Sequence, residues 1–127
     1  MGLRVLIVDD SSLIRSVLAK SLRLSGLDLE EICEAADGKQ AWELLQRDEL
    51  DLVFSDLHMP EMDGVQLIHN LAEAGRLQRT PVIVISSDRS RERREELLSL
   101  GVRAFLRKPF TPDSVRAEVT QVLEVCR

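Results

Sequence analysis

Aromatic residues are scarce in this sequence, which has three Phe, one Trp and no Tyr among its 127 residues. Proteins that bind single-stranded nucleic acids stack bases on aromatic side chains, and few such side chains are available here. The formal net charge of -5 also disfavours a surface built to neutralise phosphates. We therefore expect no direct binding of nucleic acid.

Cysteine is almost absent as well, and Cys33 and Cys126 lie far apart in the sequence. The missing C-x-x-C spacing argues against a zinc site or a redox pair. The chain also lacks an apolar stretch of the roughly eighteen residues that a membrane span needs, and its N-terminus lacks the pattern of a signal peptide. These absences predict a cytoplasmic protein without membrane insertion. The length fits one domain, residues 1–127.

Four short segments are almost continuously apolar, without the polar alternation of a half-exposed strand. Such runs, rich in Val and Ile, are typical of a parallel sheet that helices cover on both faces. The runs are residues 5–8, 52–54, 82–85 and 104–106. A further segment, residues 32–35, includes Glu34 and is predicted to be a partly exposed edge strand.

Between these runs, apolar residues recur every three to five positions, which predicts amphipathic helices. Ser11 or Ser12 can cap the first helix, and Thr111 can cap the last, with Pro112 in its first turn. Three glycines stand where helices are expected to end: Gly26, Gly75 and Gly101. Five β-α units joined by right-handed crossovers predict a (βα)5 α/β fold, a doubly wound five-stranded parallel sheet with helices on both faces.

Polar side chains follow four of the predicted strands. Asp9 and Asp10 follow the first apolar run, and the later runs are followed by Asp56, Ser86 and Lys108. Ligands bind at the carboxyl edge of a doubly wound sheet, so these residues are expected to converge there.

Three carboxylates in one pocket repel one another, and a proton or a cation must offset that cost. Mg²⁺ fits best, because it prefers carboxylate, carbonyl and water oxygens and accepts phosphate oxygens. Lys108 adds a positive charge and Ser86 a hydroxyl donor, both suited to a phosphoryl group. The set therefore indicates phosphoryl chemistry.

Several motifs together resemble the receiver domains of two-component response regulators, most closely the single-domain chemotaxis type, which is CheY-like. They are V-L-I-V-D-D-S at 5–11, S-D-L-H-M-P-E-M-D-G at 55–64, P-V-I-V-I-S at 81–86, and K-P-F at 108–110. The resemblance covers nearly the whole chain and implies a flavodoxin-like fold and a phosphorylation-activated signalling switch.

The resemblance implies that Asp56 accepts a phosphoryl group from a sensor histidine kinase or a histidine phosphotransfer protein. Asp10 and Asp56 would ligate Mg²⁺, for which Mn²⁺ can substitute, and Asp9 would support the ion largely through water. His58 would contribute its backbone carbonyl. Its side chain and that of Asp88 flank the site at positions that tune dephosphorylation in the family.

For the switch itself, the resemblance implies that Ser86 and Lys108 contact the phosphoryl group and that Phe105 rotates inward. The surface formed by the fourth helix, fifth strand and fifth helix would then change and bind a downstream protein. The family usually has a cis bond between Lys108 and Pro109. The protein is expected to be a monomer or a weak dimer.

Simpler interpretations exist for each residue taken alone. Asp9 and Asp10 could cap the first helix, and Asp56 could be a turn residue. Ser86, Phe105 and Lys108 could be an end-of-strand hydroxyl, a core residue and a solvated lysine. Residues 89–96 predict a solvated helix face with opposite-charge pairs, or a surface that docks a partner.

Two other functions remain as alternatives. An aspartyl-phosphate-forming phosphatase would need a second Asp two residues after the nucleophile, where this sequence has His58. The chain could also be the receiver domain of a longer multidomain regulator. We expect a free-standing phosphoacceptor that is not an enzyme acting on external substrates.

Overall fold

A computed structural model describes residues 2–87 and 90–125 of the chain. Strands and helices alternate along the whole of this described part. The strands are β1 (Leu3–Val8), β2 (Leu29–Ala35), β3 (Leu52–Asp56), β4 (Val82–Ser86) and β5 (Ala104–Arg107). The helices are α1 (Ser12–Leu24), α2 (Gly38–Arg47), α3 (Gly64–Glu73), α4 (Arg91–Leu100) and α5 (Pro112–Val125).

The five strands form one parallel sheet in the order β2-β1-β3-β4-β5. The chain therefore moves outward from β1 to β2, returns to the other side of β1 with β3, and then continues in one direction. β2 lies at the edge, as its polar content predicts. The arrangement confirms the predicted doubly wound, flavodoxin-like (βα)5 fold.

The apolar runs are continuous because the sheet has a core on each face. Successive side chains of a strand point to opposite faces, so Val5 and Ile7 join one core while Leu6 and Val8 join the other. The first core includes residues of α1 and α5, and the second includes residues of α2, α3 and α4. Trp42 lies half-buried and packs against the second core.

Helix ends follow the capping signals in the sequence. Ser11 is the N-cap of α1, since Ile14 donates its backbone N–H to the Ser11 hydroxyl at 3.2 Å. Neither Asp9 nor Asp10 therefore caps this helix. Thr111 accepts the Ser114 N–H at 3.1 Å before α5. Positive φ angles occur at the three glycines that end helices, Gly26, Gly75 and Gly101.

The charged segment that begins α4 is largely solvent-exposed, and Arg93 and Glu96 approach each other to 3.8 Å. This agrees with a solvated helix face, and the docking alternative stays open. Cys33 is a half-buried free thiol, whereas Cys126 lies outside the described residues. Within residues 2–87 and 90–125, no helix is both long and apolar enough to span a membrane.

Candidate functional site at the carboxyl edge of the sheet

Three aspartates meet where the strand order reverses. Asp9 and Asp10 follow β1, and Asp56 ends β3, which pairs directly with β1. The helices after these two strands pack on opposite faces of the sheet, α1 on one and α3 on the other. A crevice between the two helix layers is the expected ligand site of such a sheet, and the three carboxylates lie in it.

The carboxylates form a compact, oxygen-only cluster. One oxygen from each of Asp9, Asp10 and Asp56 lies within 4.8 Å of the others. Asp9 is 1% exposed and Asp56 8% exposed, whereas Asp10 faces solvent. A hard divalent cation with several water ligands fits a cluster that is buried on one side and open on the other. The residues present therefore suit Mg²⁺.

The cluster is electrostatically costly without a cation. Burial raises the pKa of Asp9 above its ordinary value, and the negative charge of Asp56 raises it further. The Ser11 N–H, which donates to Asp9 Oδ1 at 2.9 Å, and the Lys108 ammonium partly counter this rise in pKa. A buried carboxylate that is only partly compensated marks a position where positive charge is favoured.

Lys108 supplies the positive charge that the protein itself brings to the cluster. Its Nζ lies 3.5 Å from Asp9 Oδ2 and 3.7 Å from Asp56 Oδ1, so it bridges two of the aspartates. The residue follows β5 directly, and its bond to Pro109 is cis, as the resemblance implies. Lys108 is thus placed between the ends of β1 and β3, at the predicted site.

Asp56 is oriented by hydrogen bonds on either side. Leu57 donates its N–H to Asp56 Oδ1 at 2.8 Å, and the Ser55 hydroxyl donates to the Asp56 backbone carbonyl at 2.9 Å. Among donors in the described segments, none hydrogen-bonds to Asp56 Oδ2. The Leu57 N–H therefore anchors one carboxylate oxygen of Asp56.

The site requires a glycine at position 64, and the sequence alone does not explain why. A Cβ at this position would lie 2.0 Å from the Asp56 backbone carbonyl oxygen and 2.8 Å from Leu57 Cα. The Gly64 N–H instead donates to the Leu57 carbonyl at 3.0 Å. The absence of a side chain lets the first turn of α3 pack directly against the backbone that carries Asp56.

Arg15 was not anticipated either. Its guanidinium donates to the Asp9 backbone carbonyl through Nη1 and to Glu34 Oε1 at 2.9 Å through Nε. It thereby joins α1, the end of β1 and β2 beside the acidic cluster. An arginine in the first turns of a helix gives no sequence signal for such a role, because its partners are the residue after β1 and a residue of β2.

The remaining predicted residues have varied positions. Ser86 is buried at the end of β4, on the same sheet edge as Asp56. Phe105 is half-buried on β5, with the Arg94 guanidinium 4.5 Å above its ring centroid. His58 is exposed in the loop after β3, and Asp88 lies outside the described residues. Sequence and backbone thus place five predicted residues at one edge: Asp9, Asp10, Asp56, Ser86 and Lys108.

Comparison with known proteins agrees with this geometry. The sequence model of the response regulator receiver domain family matches residues 5–120. The chain belongs to this family. The match confirms the resemblance drawn from the motifs, and the acidic pocket is the one in which receiver domains bind Mg²⁺.

Relatives of this receiver domain include the chemotaxis protein CheY-3 of Vibrio cholerae serotype O1, 32% identical over 123 residues that cover 97% of this chain and 93% of the relative. The solved structure of the chemotaxis response regulator CheY4 of Vibrio cholerae has a TM-score of 0.84 at 30% identity, covering 96% and 99% of the two chains.

A third similarity is to the structure of a probable two-component system response regulator/GGDEF domain protein, with a TM-score of 0.84 and 33% identity. The match covers 98% of this receiver domain but only 50% of that chain. The same fold thus occurs both as a whole chain and as half of a longer one.

The electrostatics of the receiver pocket lead to a first prediction. Asp9→Asn is expected to raise the midpoint temperature of unfolding by about 2 to 8 °C at neutral pH in chelator-treated buffer. The reason is that the folded state penalises ionised Asp9 by burial and repulsion. Asparagine can still accept the Ser11 N–H, and Asp28→Asn, at an exposed position, is the control.

The pH dependence of this effect has a definite sign. An acid whose pKa is raised by folding destabilises the fold once pH exceeds its unfolded value, about 4, and the cost levels off above the folded value. The gap between Asp9→Asn and wild type should therefore shrink as pH falls from 7 to about 3. Differential scanning calorimetry measures it, and a gap that grows on acidification would contradict the assignment.

Proposed function

We propose that this receiver domain is a switch activated by phosphorylation of Asp56, with the phosphoryl group supplied by a histidine kinase or a histidine phosphotransfer protein. The observation that carries the proposal is the buried Asp56 carboxylate, which has one anchored oxygen and lies beside two more carboxylates and Lys108. Such a group is held in position and needs only charge compensation to accept a phosphoryl group.

The transfer forms one bond and breaks one. Asp56 Oδ2 attacks the phosphorus of a phosphohistidine, a P–O bond forms, and the P–N bond breaks with its electron pair remaining on the imidazole nitrogen, which a proton then neutralises. Lys108 Nζ, already 3.7 Å from Asp56 Oδ1, stabilises the negative charge of the phosphoryl oxygens. The Leu57 N–H holds the carboxylate in place throughout.

Asp9, Asp10 and Asp56 would hold Mg²⁺, with the backbone carbonyl of His58 as a further ligand and Asp9 acting largely through water. When bound, the ion neutralises the carboxylates and the phosphoryl oxygens. Mn²⁺ is expected to substitute, because it also prefers carboxylate and water oxygens.

Phosphorylation would change the protein by local electrostatics. The phosphoryl group adds about 1.5 to 2 negative charges and strong acceptor oxygens. Ser86 and Lys108, at the ends of β4 and β5, are the groups that would contact it. Movement of the segment after Ser86 would change the environment of Phe105 and so the surface formed by α4, β5 and α5, to which a downstream protein would bind.

The proposal is tested by incubating the protein with phosphoramidate and MgCl₂ and recording its intact mass. A gain of one phosphoryl group is expected, with peptide mapping placing it on the fragment that contains Asp56. Excess EDTA should prevent the gain, and MnCl₂ should restore it. Labelling that survives EDTA, or that maps to another fragment, would refute the proposal.

The donor protein is expected to contact α1 beside the pocket. Leu13, three residues after Asp10, is 70% exposed and so offers an apolar side chain to a partner beside the pocket. Leu13→Ser should therefore slow phosphoryl transfer from a phosphorylated histidine kinase by about fivefold or more, while uptake from phosphoramidate is unchanged. Phosphotransfer reactions that are quenched at successive times measure both rates.

The matched control for this prediction is Leu24→Ser. Leu24 is 64% exposed on the same helix but lies at its far end, away from the acidic cluster. It should leave both rates within a factor of about two. Equal slowing in the two variants, or slowing with phosphoramidate as well, would show that Leu13 does not contact the donor.

Several functional properties expected from the sequence remain proposals. We propose that the domain is a phosphoacceptor with self-catalysed transfer and dephosphorylation, and not an enzyme for external substrates, because the second Asp of phosphatases is replaced by His58. The tuning role of the His58 side chain, the cytoplasmic location and the monomeric or weakly dimeric state also stay predictions. Whether residues 1–127 act alone is tested by reading the gene beyond Arg127.

A further inference from the structure

Asp10 is the least constrained of the three aspartates in the acidic cluster. Its side chain is exposed, and among residues 2–87 and 90–125 no group donates a hydrogen bond to its carboxylate or forms an ion pair with it. Asp9 and Asp56, by contrast, each accept a backbone N–H and lie near Lys108. An oxygen of Asp10 nevertheless lies within 4.8 Å of oxygens of the other two aspartates. The backbone that carries Asp10 must therefore set its position.

The peptide group between Asp9 and Asp10 is held by Arg15. The oxygen of this peptide group is the Asp9 carbonyl, which accepts a hydrogen bond from Arg15 Nη1. Within the two described segments of the chain, the peptide group makes no other hydrogen bond through its carbonyl or its N–H. Because a peptide group is planar, fixing its carbonyl also fixes the direction in which the chain continues to the Cα of Asp10.

Arg15 is held in place by the edge strand. Its Nε donates to Glu34 Oε1 of β2 at 2.9 Å, and its side chain is only 16% exposed. The guanidinium thus uses two of its donors in a fixed geometry, one on each acceptor. β2 also accepts the Asp9 N–H directly, through the Ala35 carbonyl at 3.1 Å. Both peptide groups of Asp9 are therefore fixed to β2, one directly and the other through Arg15.

We propose that Arg15 is a positioning residue for the divalent cation, which keeps the Asp10 carboxylate in the acidic cluster by holding the peptide group that precedes it. The inference rests on the proposed function, because it concerns the ion that phosphorylation of Asp56 would require. Groups that orient metal ligands through hydrogen bonds raise metal affinity by about 10- to 100-fold. Arg15 would have this effect through the backbone of Asp10.

Removal of the Arg15 guanidinium has opposite expected effects under a positioning role and under electrostatics alone. A positive charge beside the acidic cluster repels a cation, so its loss should tighten metal binding if charge alone matters. If Arg15 positions Asp10, the same change should weaken binding, because the Asp10 carboxylate leaves its place in the cluster for part of the time. The direction of the change in affinity therefore distinguishes the two roles.

The test measures the affinity for Mn²⁺, which prefers the same oxygen ligands and whose free form is counted by electron paramagnetic resonance. Arg15→Met removes the donors, keeps the apolar stem and should weaken binding about tenfold. The control is Arg23→Met, at an exposed position about 12 Å further along α1. It should change the affinity by less than about twofold, because exposed charges at such distances are screened by salt.

Glu34→Ala supplies a second measurement, because it removes the anchor of Arg15. It should weaken Mn²⁺ binding about threefold in the wild-type background. In the Arg15→Met background, where there is no guanidinium to anchor, Glu34→Ala should change the affinity by less than about twofold. Losses that simply add would show that Glu34 acts on the ion by its own charge, and they would overturn the proposed connection from Glu34 through Arg15 to Asp10.

Unchanged or tighter Mn²⁺ binding in Arg15→Met would also overturn the inference, as would equal weakening in Arg23→Met. Either result leaves the proposed phosphorylation intact, because phosphoramidate labelling tests it separately. If the wild-type protein binds no Mn²⁺, the metal site of the proposed function fails and the inference fails with it. Circular dichroism checks the fold of each variant. If Arg15→Met does not fold, Arg15→Gln, which also removes the charge, is measured in its place with the same expectation.

Discussion

Asp56→Asn is expected to abolish phosphoryl uptake, reducing the labelled fraction to the background of the mass measurement. Asparagine keeps the acceptor for the Leu57 N–H, so the fold and the loop after β3 are preserved. Its amide nitrogen, however, is not a nucleophile, and the charge that Lys108 approaches at 3.7 Å is removed. The loss should appear with phosphoramidate, acetyl phosphate and a phosphorylated kinase alike.

Asp113→Asn provides the matched control for this experiment. Asp113 is exposed in the first turn of α5, so the same chemical change is made away from the acidic cluster. It should label as wild type does. Labelling of Asp56→Asn at the wild-type level would mean that another residue is the acceptor, and circular dichroism of each variant checks that no loss comes from unfolding.

Gly64→Ala is expected to destabilise the protein by about 3 to 5 kcal/mol, among the largest effects of a single methyl group. The added Cβ would lie 2.0 Å from the Asp56 backbone carbonyl oxygen, which cannot move without disturbing β3 or α3. Denaturant unfolding measures the change. Any folded fraction should also accept phosphoryl groups more slowly, because the clash displaces the backbone of Asp56.

Gly75→Ala measures the conformational cost of replacing a glycine at positive φ, without the steric clash expected at Gly64. Gly75 has a φ of +69° with nothing within 4 Å of its added Cβ, so alanine there meets only the conformational cost of about 1 to 2 kcal/mol. The two variants should therefore differ by at least about 2 kcal/mol. Equal destabilisation would show that the α3 turn adjusts and that close packing at Asp56 is unnecessary.

The positions of the strands could be predicted because a strand that is buried on both faces needs apolar residues at every position. The runs at 5–8 and 82–85 are apolar throughout, and both are fully buried. β2 was predicted only from residue 32, because Glu30 and Glu31 at its start resemble a loop. Glu31 is accommodated there by Arg4 of β1, which donates to it at 2.9 Å, and this pairing becomes visible only in the sheet.

The acidic cluster could be predicted because each member follows a recognisable strand. The supporting contacts could not, because they depend on three-dimensional packing. Arg15 contacts Asp9, which follows β1, and Glu34 of β2, while the need for Gly64 depends on its distance to Asp56.

The packing of the loop between β3 and α3 limits which of its residues can be substituted in experiments on the lifetime of the phosphorylated state. Gly64 packs on Asp56 where α3 begins, and two residues earlier the Met62 carbonyl accepts the Gly38 N–H at 2.8 Å; a Cβ on Gly38 would lie 2.4 Å from that oxygen. A mutant library for this loop should therefore keep both glycines and the loop length. His58 and Glu61 are exposed, and the φ of +63° at Glu61 suits Asn or Gly, so both positions can be varied while the acceptor stays in place. Variants of His58 in such a library would test its predicted role in tuning dephosphorylation.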